Sequence, residues 1–255
     1  MLASTDLAMA LDPVVMARAA GIEPYEWQAR FLRSQSQRIL LNCSRQAGKS
    51  TSTGALAVHT ALYEPGSLIL LISRAFRQSQ ELFRKCLDVY RALDRPVPAE
   101  AENALSLELE NGSRIVSLPG KEETIRGMSG VRLLIIDEAS RVPDALYKSV
   151  RPMLAVSGGR LVVLSSPFGT RGFFWESWKK RANWDYYEVP ATECPRISPE
   201  FLEEEKESQG EWWFLQEYMC QFMDAQTAAF RSEDIERIVS KEVDVWQMPA
   251  LIRSA

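Results

Sequence analysis

The chain is poor in the residues that announce a metal cluster or a covalent framework. It holds one histidine and four cysteines among 255 residues. Cys43, Cys86, Cys194 and Cys220 show no paired spacing, which excludes a zinc finger or a disulfide frame and reads as reduced thiols. The lone histidine, His59, falls in an expected helix and reads as a helix residue, not a catalytic base. Positive charge is not in excess either. The formal net charge is −4, so any contact with nucleic acid has to come from a local patch and not from a basic coat. No apolar stretch approaches the roughly 20 residues of a membrane span, and the first residues carry Asp6 and Asp12 where a secretory signal has a basic start. Internal repeats and low-complexity tracts are missing too. What remains is ordinary for a folded domain, 46% hydrophobic and 25% charged, enough for one large core or two unequal ones.

The most informative shortage is a single glycine. Apolar Ile39-Leu40-Leu41 leads into Cys43-Ser44-Arg45-Gln46-Ala47-Gly48-Lys49-Ser50-Thr51, which follows the phosphate-loop pattern G-x-x-x-x-G-K-[ST] except that Cys43 stands at the first glycine. In that pattern a turn between strand and helix presents backbone N–H groups to phosphate oxygens. Gly48 permits close backbone approach, Lys49 reaches the β- and γ-phosphates, and the Ser50 hydroxyl is placed to ligate Mg²⁺. Gly-Lys-Ser alone also occurs in solvated turns, so the second half of the pattern matters. The run from Val131 to Ile136 is too short for a membrane helix and ends in Asp137-Glu138. It reads as a buried parallel strand delivering two acids to its C-terminal edge. Asp137 is then the residue that holds the metal shell, and Glu138 the base that deprotonates the attacking water. Acids that merely cap the next helix are the bland alternative; pairing with the phosphate loop favours ATP hydrolysis with Mg²⁺.

Apolar runs alternate with helical patterns along the chain, which predicts a mostly parallel sheet covered on both faces. Strands are expected near 38–43, 67–73, 132–136 and 160–165, and a helix from Lys49 to about Tyr63, ended by Pro65-Gly66. Phe76, Leu82, Phe83, Cys86, Leu87 and Tyr90 share the packed face of an amphipathic helix. Asn111-Gly112, between Leu105–Leu109 and Ile115–Leu118, predicts a hairpin. From Pro190 onward the pattern turns helical, with a helix start at Pro199 and Trp212-Trp213-Phe214 as an apolar anchor in the core. Three weaker features accompany the two motifs. The Gln28 amide in Pro24-Tyr25-Glu26-Trp27-Gln28 could read an adenine edge, with Trp27 packed as core. Ser165-Ser166-Pro167 ends another apolar strand, where small hydroxyls can sense a γ-phosphate and relay its loss. Arg45 inside the loop and Arg126 ahead of the acid strand are candidate guanidiniums for transition-state charge, Arg126 only from a neighbouring subunit or a folded-back loop.

Taken together, Tyr25-x-Trp27-Gln28, Ser44-Arg45-Gln46-x-Gly48-Lys49-Ser50-Thr51, Ile136-Asp137-Glu138-Ala139 and Ser165-Ser166-Pro167 resemble the ATPase domain of the large terminase subunit of tailed bacteriophages. The resemblance runs from about Gly21 to Phe230, with the stretch from Phe214 to Phe222 similar to the segment that closes the family's ATPase region. A loop arginine and a missing leading glycine are both typical of that family. The resemblance implies a RecA-like (ASCE-type) P-loop NTPase, an α/β fold with a mostly parallel sheet flanked by helices and a small helical lid. It implies an ATPase that powers packaging of double-stranded DNA into a procapsid, working as a homo-oligomeric ring docked on the portal protein. The small terminase subunit is a further implied partner, the setting is the host cytoplasm during phage assembly, and no membrane is involved. The implied nucleotide site comprises Gln28, Ser44, Arg45, Gln46, Ala47, Gly48, Lys49, Ser50 and Thr51. Ser50 and Asp137 hold the metal, Glu138 catalyses with Arg45 and Arg126, and Ser165, Ser166 and Pro167 couple hydrolysis to motion.

The expected organisation is N-terminal helices with a RecA-like core over 1–190, the lid over 191–230 and a linker over 231–255. In the family that linker leads to a nuclease domain, for which too few residues follow. Asp234, Glu236, Glu242 and Asp244 therefore read as the solvated face of a linker helix, and no DNA cleavage is expected. Two other readings stay open. One is a helicase-like DNA translocase, against which the single set of motifs argues; the other is an ATP-gated assembly module with slow intrinsic hydrolysis.

Overall fold

The computed structural model describes residues 3–119 and 128–224. Arg126, the tail of the expected lid and the 231–255 linker with Asp234, Glu236, Glu242 and Asp244 lie outside the described residues. By its internal contacts the chain separates into two units, Met1–Met223 and Asp224–Ala255.

Three short helices open the first unit, α1 (Ala3–Leu11), α2 (Pro13–Ala19) and α3 (Glu26–Arg33). They precede the strand β1 (Arg38–Cys43), the helix α4 (Lys49–Tyr63), β2 (Leu68–Ser73) and α5 (Phe76–Ala92). A meander follows, β3 (Ala99–Glu102), β4 (Ser106–Leu109) and β5 (Arg114–Pro119). Then come β6 (Val131–Asp137), α6 (Asp144–Val150), β7 (Arg160–Ser165), α7 (Gly172–Lys180) and β8 (Asp185–Val189), and last α8 (Pro199–Gln209) and α9 (Glu211–Glu217).

The eight strands of the described residues form one sheet in the order β3-β4-β5-β2-β6-β7-β1-β8. The strands from β5 to β8 run parallel, and only β3-β4 and β4-β5 pair antiparallel. Parallel direction puts the C-terminal ends of β1, β6 and β7 on one edge, where loops after the strands build a crevice. In the central strand β2 every residue of Leu-Ile-Leu-Leu-Ile-Ser is buried, as expected of a strand covered on both faces. Successive side chains of the central strands alternate between two cores: Ile39, Leu41, Ile69, Leu71 and Ile135 pack under α2 to α5, while Leu40, Leu70, Ile72, Leu134 and Ile136 pack under α6 and α7. The Asn111-Gly112 hairpin forms as its residues predict, with Gly112 at a φ of 80°. Helices α4 and α5 touch backbone to backbone at Gly54, where a Cβ would stand 3.2 Å from the Lys85 main chain.

Two packing expectations are corrected. Phe76 is 54% exposed, because it is the first residue of α5 and precedes the part of the helix that reaches the core. The apolar anchor in α9 is reversed: Trp213 is 40% exposed while Gln216 and Glu217 are buried. A seven-residue helix can bury only one face, and here that face carries the polar pair because polar groups wait for it below.

Candidate active site

Those polar groups belong to the phosphate loop and its neighbours. The loop leaves β1 at Cys43, whose thiol is pushed up to about 12 by burial and is therefore a neutral packing group. Ser44 N–H donates to the Val189 carbonyl oxygen of β8 at 2.9 Å, and Arg45 N–H donates to the Glu217 carbonyl oxygen at 3.1 Å. Gln46 and Gly48 take left-handed backbone, with φ of 59° and 89°. The left-handed φ of Gly48 favours glycine whatever the space around it, and a Cβ there would also press on Gln28 Nε2 at 2.6 Å, so glycine is favoured here even though the leading one is absent. Lys49 begins α4, is buried, and turns its Nζ back to 3.5 Å from the Ser44 carbonyl oxygen. Ala47 is buried, and Ser50 and Thr51 are half-buried in the first turn of α4.

Asp137 ends β6, two strands from the loop, and is buried. Glu138 N–H donates to its Oδ1 at 2.9 Å. Burial raises the Asp137 carboxyl to about 6, against the opposing charge of Lys49 and with a smaller push from Glu138. Glu138 takes left-handed backbone with φ 51°; a non-glycine residue held there stores about 1 kcal/mol or more, which clusters at functional sites. One cleft is lined by Ser50, Asp137 and Glu138 on one side and by Arg77, Gln78 and Lys85 of α5 among its other residues.

Ser165 ends β7 between them, its Oγ 2.7 Å from Ser140 Oγ. Ser166 Oγ donates to Glu217 Oε2 at 3.4 Å, and Pro167 is buried. Glu217 is the centre of this side of the site. Arg45 Nε donates to its Oε2 at 2.6 Å, and Arg141 Nη2 is 3.6 Å from its Oε1. Arg141 Nε in turn lies 4.0 Å from Glu138 Oε2, and its guanidinium stacks 4.0 Å from the Phe168 ring centre. One buried carboxylate thus connects the loop arginine, the Ser166 hydroxyl and, through Arg141, Glu138. Gln216 joins from the same helix, its Oε1 3.4 Å from Gly169 N.

Gln28 sits against the loop from the other side. It is buried, its Oε1 accepts from Tyr25 N–H at 2.9 Å, and its Nε2 lies 3.4 Å from the Gly48 carbonyl oxygen. His59 Nε2 bonds the Met9 carbonyl oxygen at 3.0 Å, well inside the helical packing.

The arrangement of one strand-loop-helix, one acid-bearing strand and one hydroxyl-bearing strand can be set beside known proteins. The family model described as terminase large subunit, T4likevirus-type, N-terminal, matches residues 40–237. The chain belongs to the terminase large subunit family. Among solved structures, the large terminase ATPase domain of Thermus phage P74-26 is similar with a TM-score of 0.73 at 20% identity, over 81% of this chain and 97% of that one. The large terminase of the thermophilic bacteriophage D6E in complex with ADP gives 0.63 at 12% identity, over 82% of this chain and 53% of that one. The HK97 bacteriophage large terminase gives 0.58 at 15% identity, over 84% and 46%. The terminase fold here is thus RecA-like, and the chain spans about half the length of the latter two proteins. Glu217, Arg141 and Arg196, whose Nη2 donates to the Gln46 carbonyl oxygen of the loop at 3.3 Å, are residues around the loop of this terminase that sequence reasoning missed. Glu217 follows an apolar Trp-Trp-Phe run that points attention elsewhere; only the Arg45 charge, which needs a partner, hinted at it.

Proposed function

We propose that this terminase chain is the ATP-hydrolysing motor domain that drives double-stranded viral DNA into a procapsid. The observation that carries the proposal is the meeting, at one sheet edge, of a phosphate loop with buried Lys49, a buried Asp137 and a backbone-strained Glu138. Nucleotide binding in structural relatives supports it: the D6E large terminase is solved with ADP and with ATP-gamma-S. In this proposal the loop from Ser44 to Thr51 grips the phosphates by its N–H groups and Lys49. Asp137 and Ser50 would hold Mg²⁺. The fit is chemical: a buried carboxylate raised to about 6 has no ion pair among the described residues, which is the condition a divalent cation relieves. Bound there, Mg²⁺ would neutralise phosphate charge. Glu138 takes the proton of the attacking water, and Ser165, Ser166 and Pro167 pass the loss of the terminal phosphate to the Glu217 network. Arg45 and Arg126 supply guanidiniums to the transition state. Double-stranded DNA, the portal protein, the small terminase subunit and further copies in a ring complete the assembly, in the host cytoplasm.

Glu138→Gln tests the reaction. ATP affinity is expected to stay within about twofold while turnover falls about a hundredfold or more, the usual worth of a general base; full turnover in that variant would sink the assignment. One observation favours a second reading, an ATP-gated assembly module that hydrolyses slowly alone: the Arg45 guanidinium is held by Glu217 at 2.6 Å. Turnover that stays low at every protein concentration and rises only with assembly partners would favour it.

A further inference from the structure

The 3₁₀ turn Ala139–Arg141 follows Glu138 directly, and Arg141 N–H donates to the Glu138 carbonyl oxygen at 2.9 Å. In such a turn the side chains at i and i+3 eclipse. The turn thereby sets the Arg141 guanidinium beside the Glu138 carboxylate, with Nε 4.0 Å from Oε2. The guanidinium lies over the Phe168 ring, 4.0 Å from its centre, and that ring follows Ser165-Ser166-Pro167 in the chain. On the other side, Nη2 is 3.6 Å from Glu217 Oε1, a buried atom that accepts no hydrogen bond among the described residues. One guanidinium thus stands between two carboxylates, in ion-pair reach of both and at hydrogen-bond distance from neither.

Burial decides what that cation can do. Arg141 and Glu138 expose only 23% and 26% of their side chains, so water and salt screen this pair less than a surface pair. Among the described residues, Arg141 is the one cation within ion-pair distance of Glu138. It is not among the residues lining the cleft of Ser50, Asp137 and Glu138. Arg141 therefore meets that cleft only through Glu138. A glutamate carboxylate sits on a flexible stem, whose rotamers have to be narrowed before it can serve one fixed direction.

We propose that Arg141 is the positioning residue of Glu138, holding its carboxylate toward the cleft, an inference that rests on Glu138 being the base of the proposed ATP hydrolysis. Arg141 itself touches neither nucleotide nor attacking water. It acts on turnover by restricting where the carboxylate points, while Phe168 and Glu217 keep the guanidinium from following the carboxylate away.

Steady-state ATP turnover of the whole chain tests this with three substitutions at one position. Arg141→Ala removes both charge and packing, Arg141→Met keeps an apolar contact for Phe168 without the charge, and Arg141→Lys keeps a charge. For Ala and Met, kcat is expected to fall about tenfold or more with KM for ATP within about twofold of wild type, because only the transition state needs the carboxylate aimed. Lys is expected to regain at least about threefold over Met. Arg141→Met carries the test where Arg141→Ala melts early, since it preserves the packing.

The deciding measurement is a double variant. In Glu138→Gln no carboxylate is left to aim, so adding Arg141→Met is expected to slow single turnover by less than about twofold further. A further loss of about tenfold there, full kcat in Arg141→Met, a raised KM at unchanged kcat, or Lys no better than Met would overturn the role and leave Arg141 a structural partner of Glu217. Glu138→Gln turning over as fast as wild type would remove the base assignment and the Arg141 role with it. That outcome is distinguishable because it appears with Arg141 untouched.

Discussion

Glu217 is a carboxylate with only 5% of its side chain exposed. Such a group has to be neutralised or hydrogen-bonded, and Arg45, Arg141 and Ser166 do this from three different segments. The ion pair itself is worth little at the Arg45 end, because that side chain is 61% exposed and screened by water. The cost of change therefore falls on the buried acceptor. Glu217→Gln keeps the shape but puts an amide N–H₂ where Arg45 or Ser166 donates, leaving donors facing a donor. We expect a loss of about 1 to 2 kcal/mol, read in a thermal melt as a midpoint lower by about 2 to 8 °C. A melt within about a degree of wild type would mean that the network adds no stability. In the sequence only the charge of Arg45, which needs a partner, hints at this residue's role, since its partners are as far as 172 positions away.

At the scale of elements, the start of α2 shows how one side chain fixes two helices. Asp12 caps the helix, its Oδ1 accepting from Val14 N–H at 3.0 Å, while Pro13 occupies the first turn where its missing N–H costs nothing. The same carboxylate receives Arg33 Nη2 at 2.6 Å and so ties α2 to the end of α3. Asp12→Ala is expected to cost about 1 to 2 kcal/mol, mostly the cap. The Arg33 hydrogen bond is the main reason the Asp12 carboxyl lies below its ordinary value of 3.8. A depressed carboxylate stabilises the fold above its unfolded value and stops doing so as pH falls through the folded one. The difference in melting temperature between wild type and Asp12→Ala should thus be full near neutral pH and shrink below pH 3.8; a difference that persists unchanged in acid would assign the effect to packing. Elements of this kind were legible where a local rule held. The strands β1, β2, β6 and β7 are continuous apolar runs, α4 ends where Pro65-Gly66 says it should, and Asn-Gly makes its hairpin. The strand β8 escaped because Asp-Tyr-Tyr-Glu-Val has no buried run: only Tyr187 and Val189 face the core at this sheet edge. The helix α9 misled because hydrophobicity normally decides which face is buried, and here hydrogen-bonding partners decided it. Of the site, the loop, Asp137, Glu138 and the Ser165-Ser166 strand end were legible because their spacing is local. The Glu217 and Arg196 contacts were not, because they are made by tertiary packing alone.

For the whole molecule, the open side of the cleft shared by Ser50, Asp137, Glu138, Arg77, Gln78 and Lys85 sets the question of what completes it. The proposed ring answers with a residue from the next copy, and Arg126 is the proposed donor. A head-to-tail ring uses two different surfaces of each subunit, so one subunit's base and its neighbour's arginine form a composite site. That geometry makes a specific prediction about mixtures. Arg126→Ala retains Glu138 but offers no guanidinium to its neighbour, and Glu138→Gln offers the guanidinium but has no base. Each alone is expected to be inactive. In an equal mixture under assembling conditions, roughly a quarter of the interfaces pair an intact Glu138 with an intact Arg126, and turnover should return in about that proportion. ATP turnover measured across mixing ratios checks this, with the maximum expected near equal parts. Mixtures that stay inactive while light scattering shows mixed rings would place the working arginine within the same chain, and Arg45, once released by Glu217, would be the residue to test next.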